Sequence, residues 1–167
     1  MKFLYCYTKG ALRMERNTLT LDEEAESICR WGAARAGVIV VVPVAGVIAL
    51  MANEVYMIIR IAGIYGVKIN ESAATAFIGA MGGAFVGQAL ALMIPFPPMQ
   101  IPIAIGVTYA IGKTAQAWIR DGMPADMTKY KDTFESFKAE AKNIVNELSI
   151  HPFKSKPLGD EKRDFSR

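Results

Sequence analysis

Histidine and cysteine are almost missing from this 167-residue sequence, which holds one His and two Cys. Two thiols, Cys6 and Cys29, allow one disulfide at most, and that excludes a disulfide-built scaffold. His151 stands beside Pro152 with no Cys or carboxylate cluster near it in the chain, so it reads as a surface residue and not as a ligand or base. Serine-nucleophile motifs, Cys-x-x-Cys pairs and paired carboxylates at recognisable catalytic spacing are absent too. A net charge of +3, balanced within each flank, is too small to point to nucleic acid. The expectation is a protein with no enzymatic activity, no cofactor, no metal and no nucleic-acid partner. A secretory signal is lacking as well: the apolar run Phe3–Tyr7 stops at Thr8-Lys9, short of the roughly 7–15 residues such a signal needs. A cytoplasmic-side chain with both thiols reduced is expected.

The scarcity that matters most is local. Hydrophobic residues make up 52% of the chain and charged residues 21%, an ordinary average. Yet between Ala36 and Trp118 the charges are Glu54, Arg60, Lys68, Glu71 and Lys113 alone, and all the others lie in the two flanks. Residues 36–53 carry no charge, and neither do residues 72–112. The length suits one domain, and so much apolar surface excludes disorder for the middle of the chain.

Four stretches follow from the pattern: an N-terminal segment 1–19, an apolar helical domain 20–120, an amphipathic helix 121–149 and a disordered tail 150–167. Thr20-Leu21-Asp22-Glu23 has the form of a capping box, with acidic residues after it that suit a first helical turn, so a helix is predicted to begin near Leu21. The uncharged run 36–53 has the length of a membrane-span candidate. The second run is broken by Pro95, Pro97, Pro98 and Pro102 into a predicted helix over 72–94 and another over 101–119. The first of these would be about 34 Å long, enough to cross a ~30 Å hydrocarbon core. Asp121-Gly122-Met123-Pro124 is a stop-and-restart signal. Beyond it, Met127, Tyr130, Phe134, Phe137, Ala141, Ile144 and Leu148 alternate at three- and four-residue steps. That narrow seam predicts an amphipathic helix that docks along a partner helix or a second copy.

Several residues stand out as candidate sites. Thr75, Gly79, Gly83, Gly87 and Ala91 recur every fourth residue and form a smooth ridge for close helix packing, either within the chain or in self-association. Glu54 and Arg60 are costly charges in apolar surroundings. Six residues apart, they lie about 120° from each other around a helix and cannot pair directly. Either they mark a functional pair of sites or, as the simpler reading has it, residues 54–71 return to an aqueous interface where both are solvated. Trp31 with Arg35 and Trp118 with Arg120 flank the apolar block, as headgroup anchors would in a membrane or as end-caps would in a soluble bundle. Gly112-Lys113-Thr114 is no phosphate loop, because position 107 is Val where that motif requires Gly.

The Pro-centred turn followed by Val107-Thr108-Tyr109-Ala110-Ile111-Gly112-Lys113, preceded by the Gly-rich run and Ile64-Tyr65-Gly66, resembles a YcjF-type domain of unknown function. Such domains stand beside or behind Era-like GTPases. The resemblance covers residues 30–119 and implies an all-helical, membrane-associated accessory module for a separate GTPase, since this chain has no GTP-binding motif. It carries over no catalytic residue.

The expected fold is all-α. Two apolar helical hairpins, near 33–67 and 72–119, are inserted in a bilayer or tightly buried, with a capped helix before them and the heptad helix after. The expected function is that of a non-enzymatic membrane-associated scaffold that self-associates through the Gly ridge. A bacterial inner-membrane protein with both termini in the cytoplasm fits the positive residues at the outer ends of the hairpins. The alternatives are a soluble cytoplasmic oligomer with buried hairpins and a small pore-forming protein.

Overall fold

A computed structural model describes residues 2–42, 45–81 and 97–158, with residues 2–19, 45, 47 and 97 described by their backbone alone. Among the described residues there are helices and turns and no strand. Helix α1 spans Lys2–Ile39, α2 Ala45–Ile64, α3 Glu71–Ala80, α4 Pro97–Arg120 and α5 Thr128–Ser149. The fold is all-α, as the sequence leads one to expect.

Local chemistry explains most of the boundaries. At the end of α2, Gly66 takes a left-handed φ of +71° and lets the Val67 amide donate back to the Ala62 carbonyl at 2.9 Å. The Gly122 signal works the same way: its φ is +82°, and the Met123 amide reaches the Trp118 carbonyl at 2.9 Å. Helix α3 starts at an N-cap the sequence reading overlooked, where the Asn70 side chain accepts the Ala73 amide at 2.8 Å. Helix α4 begins at Pro97, earlier than predicted, because prolines in a first turn forfeit amides that have no helical partner there.

The predicted helix start at Leu21 is a correction. Helix α1 passes straight through Thr20-Leu21-Asp22-Glu23. No proline interrupts residues 2–19, so continuing the helix competes successfully with the cap. Of the acidic residues expected to face the helix dipole, Asp22 and Glu26 face other helices instead, as described below.

Helix α1 lies antiparallel to α2 and α4, and α5 lies antiparallel to α4. Three approaches show how tightly α1 is held. A Cβ added at Gly32 would come within 2.5 Å of the Met57 sulfur, one at Gly37 within 2.9 Å of Ile105, and one at Gly112 within 2.9 Å of the Cys29 sulfur. These three glycines bring the helices close together. Of the predicted ridge, Thr75 and Gly79 are exposed, and among the described residues nothing lies within 4 Å of a Cβ placed at Gly79. Gly83, Gly87 and Ala91 lie outside the described residues, as does most of the predicted helix over 72–94.

The heptad seam folds inward. Tyr130, Phe134, Ala141 and Leu148 are buried and join the main core with Ile105, Val107, Tyr109 and Ile111 of α4, while Met127, Phe137 and Ile144 pack half-buried against it. The partner of the seam is therefore α4 of the same chain, so these side chains are not free for a second copy. Residues 151–158, expected to be disordered, turn back across α1 and end with Leu158 just 2% exposed.

Among the described residues no helix is long and apolar enough to cross a membrane. Helix α2 has sufficient length, but Asn53, Glu54 and Arg60 interrupt its apolar character. The first predicted hairpin, 33–67, falls on the end of α1 and on α2, which pack as one antiparallel pair. Of the second, 72–119, α3 and α4 are described and residues 82–96 lie outside the described residues, and α4 packs on α1, α2 and α5.

Candidate functional site

Two polar features lie inside this apolar bundle. The first is a buried layer where α1, α2 and α4 meet. Asn53 and Glu54 are neighbours in α2 and point about 100° apart, one toward α1 and the other toward α4. The Asn53 amide donates to the Gly32 carbonyl at 3.0 Å, and the Arg35 guanidinium lies 3.5 Å from the Asn53 Oδ1. Glu54 is 1% exposed, and the Thr108 hydroxyl, fully buried on α4, donates to its Oε1 at 3.0 Å. The solvated reading of Glu54 is therefore wrong. The carboxylate is kept in the core because a hydroxyl from another helix is brought to it. Arg60 is half-buried elsewhere: it donates to the Leu158 carbonyl at 3.1 Å and stacks 5.1 Å above the Trp31 ring.

The second feature is a cleft of about 380 Å³ between α1, α4 and α5. Tyr109, Lys113, Gln116 and Arg120 recur at four- and three-residue steps along α4 and meet Asp22 and Glu26, one turn apart on α1. Lys113 pairs with Glu26 at 2.6 Å, and Arg120 pairs with Asp22 at 3.1 Å. The Tyr109 hydroxyl donates to Glu26 at 2.9 Å, and the Tyr65 hydroxyl donates to Asp22. Gln116 donates to the Tyr65 oxygen at 2.9 Å, while its own buried Oε1 has no hydrogen-bond partner among the described residues.

Electrostatics keep this cleft's phenols protonated. Burial, reinforced by the hydrogen bond to Asp22, pushes Tyr65 up to about 12. Burial and the charge of Glu26 raise Tyr109 further still. Cys29, wholly buried behind Gly112, has its thiol pushed far above the usual range by burial first and Glu26 second. A thiol held neutral in that way is a packing group and not a nucleophile. Lys113 and Arg120 each take a carboxylate from α1, Glu26 and Asp22, so the arrangement clamps α1 to α4. Among the described residues no group of three or more His, Cys, Asp or Glu side chains is placed to hold a metal ion.

The flanking tryptophans act within the chain. The Trp31 indole donates to the Phe153 and Lys156 carbonyls at 2.9 and 3.1 Å and so holds the C-terminal turn. Trp118 donates to the Pro124 carbonyl at 3.0 Å and stacks on Phe77 at 4.8 Å. With Arg35 at Asn53 and Arg120 at Asp22, all four anchors have partners inside the bundle, in keeping with the end-cap reading.

Sequence reasoning found Glu54 but missed Thr108, Asn53 and the whole α1–α4 cleft. For the cleft a signal was present: Asp22 and Glu26, one turn apart on one helix, and Lys113 and Arg120 at helical spacing on another are stripes of opposite charge.

One surface feature remains. Because of the antiparallel order, the end of α1 and the starts of α2 and α4 meet at one end of the bundle, around a small core of Ala36, Val40, Leu50 and Ala104. These are the uncharged parts of each helix. Val38, Val41, Val42 and Met99 are exposed there, and Ile48 is 67% exposed.

Compared with known proteins, the chain matches no family model, no curated sequence and no solved structure.

Proposed function

We propose that this protein is a non-enzymatic helical accessory module that associates with a lipid surface through the uncharged end of its bundle. The observation that carries this reading is the convergence of Val38, Val41, Val42, Ile48 and Met99 on one end, where α1, α2 and α4 bring no charged residue. Exposed large apolar side chains clustered in this way mark interaction surfaces. An apolar element of this size buries itself roughly 5–10 Å into the boundary between headgroups and acyl chains, without spanning the bilayer. The likeness to YcjF-type domains supplies the one partner the reading names, a separate GTPase recruited to that surface.

Flotation with phosphatidylcholine–phosphatidylglycerol vesicles tests it. The chain is expected to float with the vesicles, and Val42→Asp or Ile48→Asp to leave it at the bottom of the gradient. Ile150→Asp, at an exposed apolar residue after α5, is the control and keeps flotation. A chain that never floats, or floats equally well with Asp at position 48, sinks the proposal. Carbonate release of the floated protein marks it as peripheral.

Self-association is the second part of the reading. It is supported by α3, where Thr75, Ala76 and Gly79 present an open face of small side chains. Sedimentation of the purified chain is expected to show an oligomer that Gly79→Leu reduces to a monomer; a monomer from the outset removes this part alone.

A further inference from the structure

A trough of about 450 Å³ runs between α4 and the C-terminal half of α5, a volume within the roughly 300–1,000 Å³ of small-molecule sites. Its floor is Ile103, Gly106 and Val107, and Val145 closes the far side. It exists because Gly106 has no side chain to fill it, while Ala141 opposite lets the two backbones approach: a Cβ at 106 would lie 3.8 Å from that of Ala141.

The rim is what makes this trough specific. Lys138, Lys142 and Asn146 follow one another at four-residue steps and so line a single edge of α5 above the apolar floor. Lys138 reaches Glu135 at 2.7 Å on its solvent side, whereas Lys142 pairs with no carboxylate among the described residues. An apolar trough bordered by an unmatched cation complements a ligand with an alkyl body and one anionic head. We propose that this trough binds a single long-chain fatty acid, its carboxylate held by Lys142 with Lys138 beside it and its chain lying over Ile103, Gly106 and Val145. Lysine suits that role, because its flexible stem lies along apolar surface while the ammonium stays at the edge. The site does not depend on the lipid-surface reading above.

Titration of the full chain with oleate, kept below its micellar concentration, tests the assignment. Saturable binding of one oleate per chain is expected. Methyl oleate, which keeps the chain and loses the charge, binds more weakly, and Lys138→Gln with Lys142→Gln weakens oleate by roughly tenfold. Gly106→Leu fills the trough and abolishes binding. The lysine pair stands on the surface, so this double variant reads the site even where Gly106→Leu disturbs folding, with helical content checked by circular dichroism. Ile48→Asp removes vesicle flotation and leaves oleate binding unchanged, which separates the two proposals. The assignment is overturned by absence of saturable oleate binding, by equal affinity for methyl oleate, or by indifference to loss of both lysines. A dimer that oleate does not dissociate and that Gly106→Leu breaks also overturns it, since a second copy then occupies the trough.

Discussion

Thr108 and Glu54, 54 residues apart in sequence, meet inside the core with the hydroxyl 3.0 Å from the carboxylate. Both side chains are shut off from water, so the hydroxyl replaces a hydrogen bond that solvent would otherwise supply. Replacing Thr108 by Val keeps the shape and removes the donor. Removing one hydrogen bond to a buried carboxylate costs about 1–3 kcal/mol, and urea unfolding of Thr108→Val is expected to show a loss of that size. An unchanged midpoint would mean that the bond contributes nothing net.

Gly112 and Cys29 set the distance between α1 and α4. A methyl group at position 112 would meet the Cys29 sulfur at 2.9 Å and the Met57 sulfur at 3.1 Å. Gly112→Ala is expected to destabilise the fold by about 1–3 kcal/mol, the ordinary cost of overpacking a filled core. Part of that cost should disappear in a Cys29→Ala background, because the thiol is the nearest obstacle while the Met57 sulfur at 3.1 Å and the Cβ of residue 29 at 3.2 Å remain. A double-mutant cycle with no coupling between the two positions would refute the steric explanation.

Alkaline pH should loosen the α1–α4 clamp. Tyr65 is raised from 10.0 to about 12 in the folded chain, and Tyr109 is raised in the same direction. A raised folded value means that the native state keeps its proton where the unfolded chain has released it. The stabilisation is therefore complete below pH 10 and is lost as pH rises from 10 through 12. Thermal midpoints recorded across that window should fall for the natural chain and fall less for Tyr65→Phe. Equal slopes for the two proteins would show that Tyr65 titrates alike in both states.

Trp31 holds the segment after α5 in place through two hydrogen bonds to carbonyls, with the Phe153 ring 6.1 Å away. Trp31→Phe keeps an aromatic ring but has no donor. Trypsin is expected to cut after Lys154 several-fold faster in that variant, while the helices resist as before. Cleavage at the natural rate would assign the anchoring to Leu158 and Arg60 instead.

Helix α5 shows how far a sequence pattern reaches. Its seven seam residues are visible as three- and four-residue steps, since helical periodicity depends on near neighbours alone. Its partner is not visible in the same way: a second copy and α4 offer the seam equivalent apolar surfaces, and the short 121–127 connection brings α4 to it first. The Thr20–Glu23 cap failed for a related reason. A capping motif states what a helix end would use, and nothing local decides whether the helix ends there.

The charges divide along the same line. Asp22 and Glu26 look like first-turn acids until Arg120 and Lys113 appear opposite them. Glu54 looks solvated until Thr108 does. The polar stripes of α1 and α4 were legible as spacing but were not read as a pair, because their members lie some 80 to 100 residues apart.

The order of residues along the chain determined the helical class, the apolar middle and the alternating seam, each a property of near neighbours, and the scarcity of His and Cys excluded a disulfide scaffold. The tertiary structure decided which face meets which, which glycines are in contact, and that Glu54 is buried while Ile48 is not. Burial and pairing are properties of groups brought together across helix interfaces, where a carboxylate's environment is set by residues more than fifty positions away.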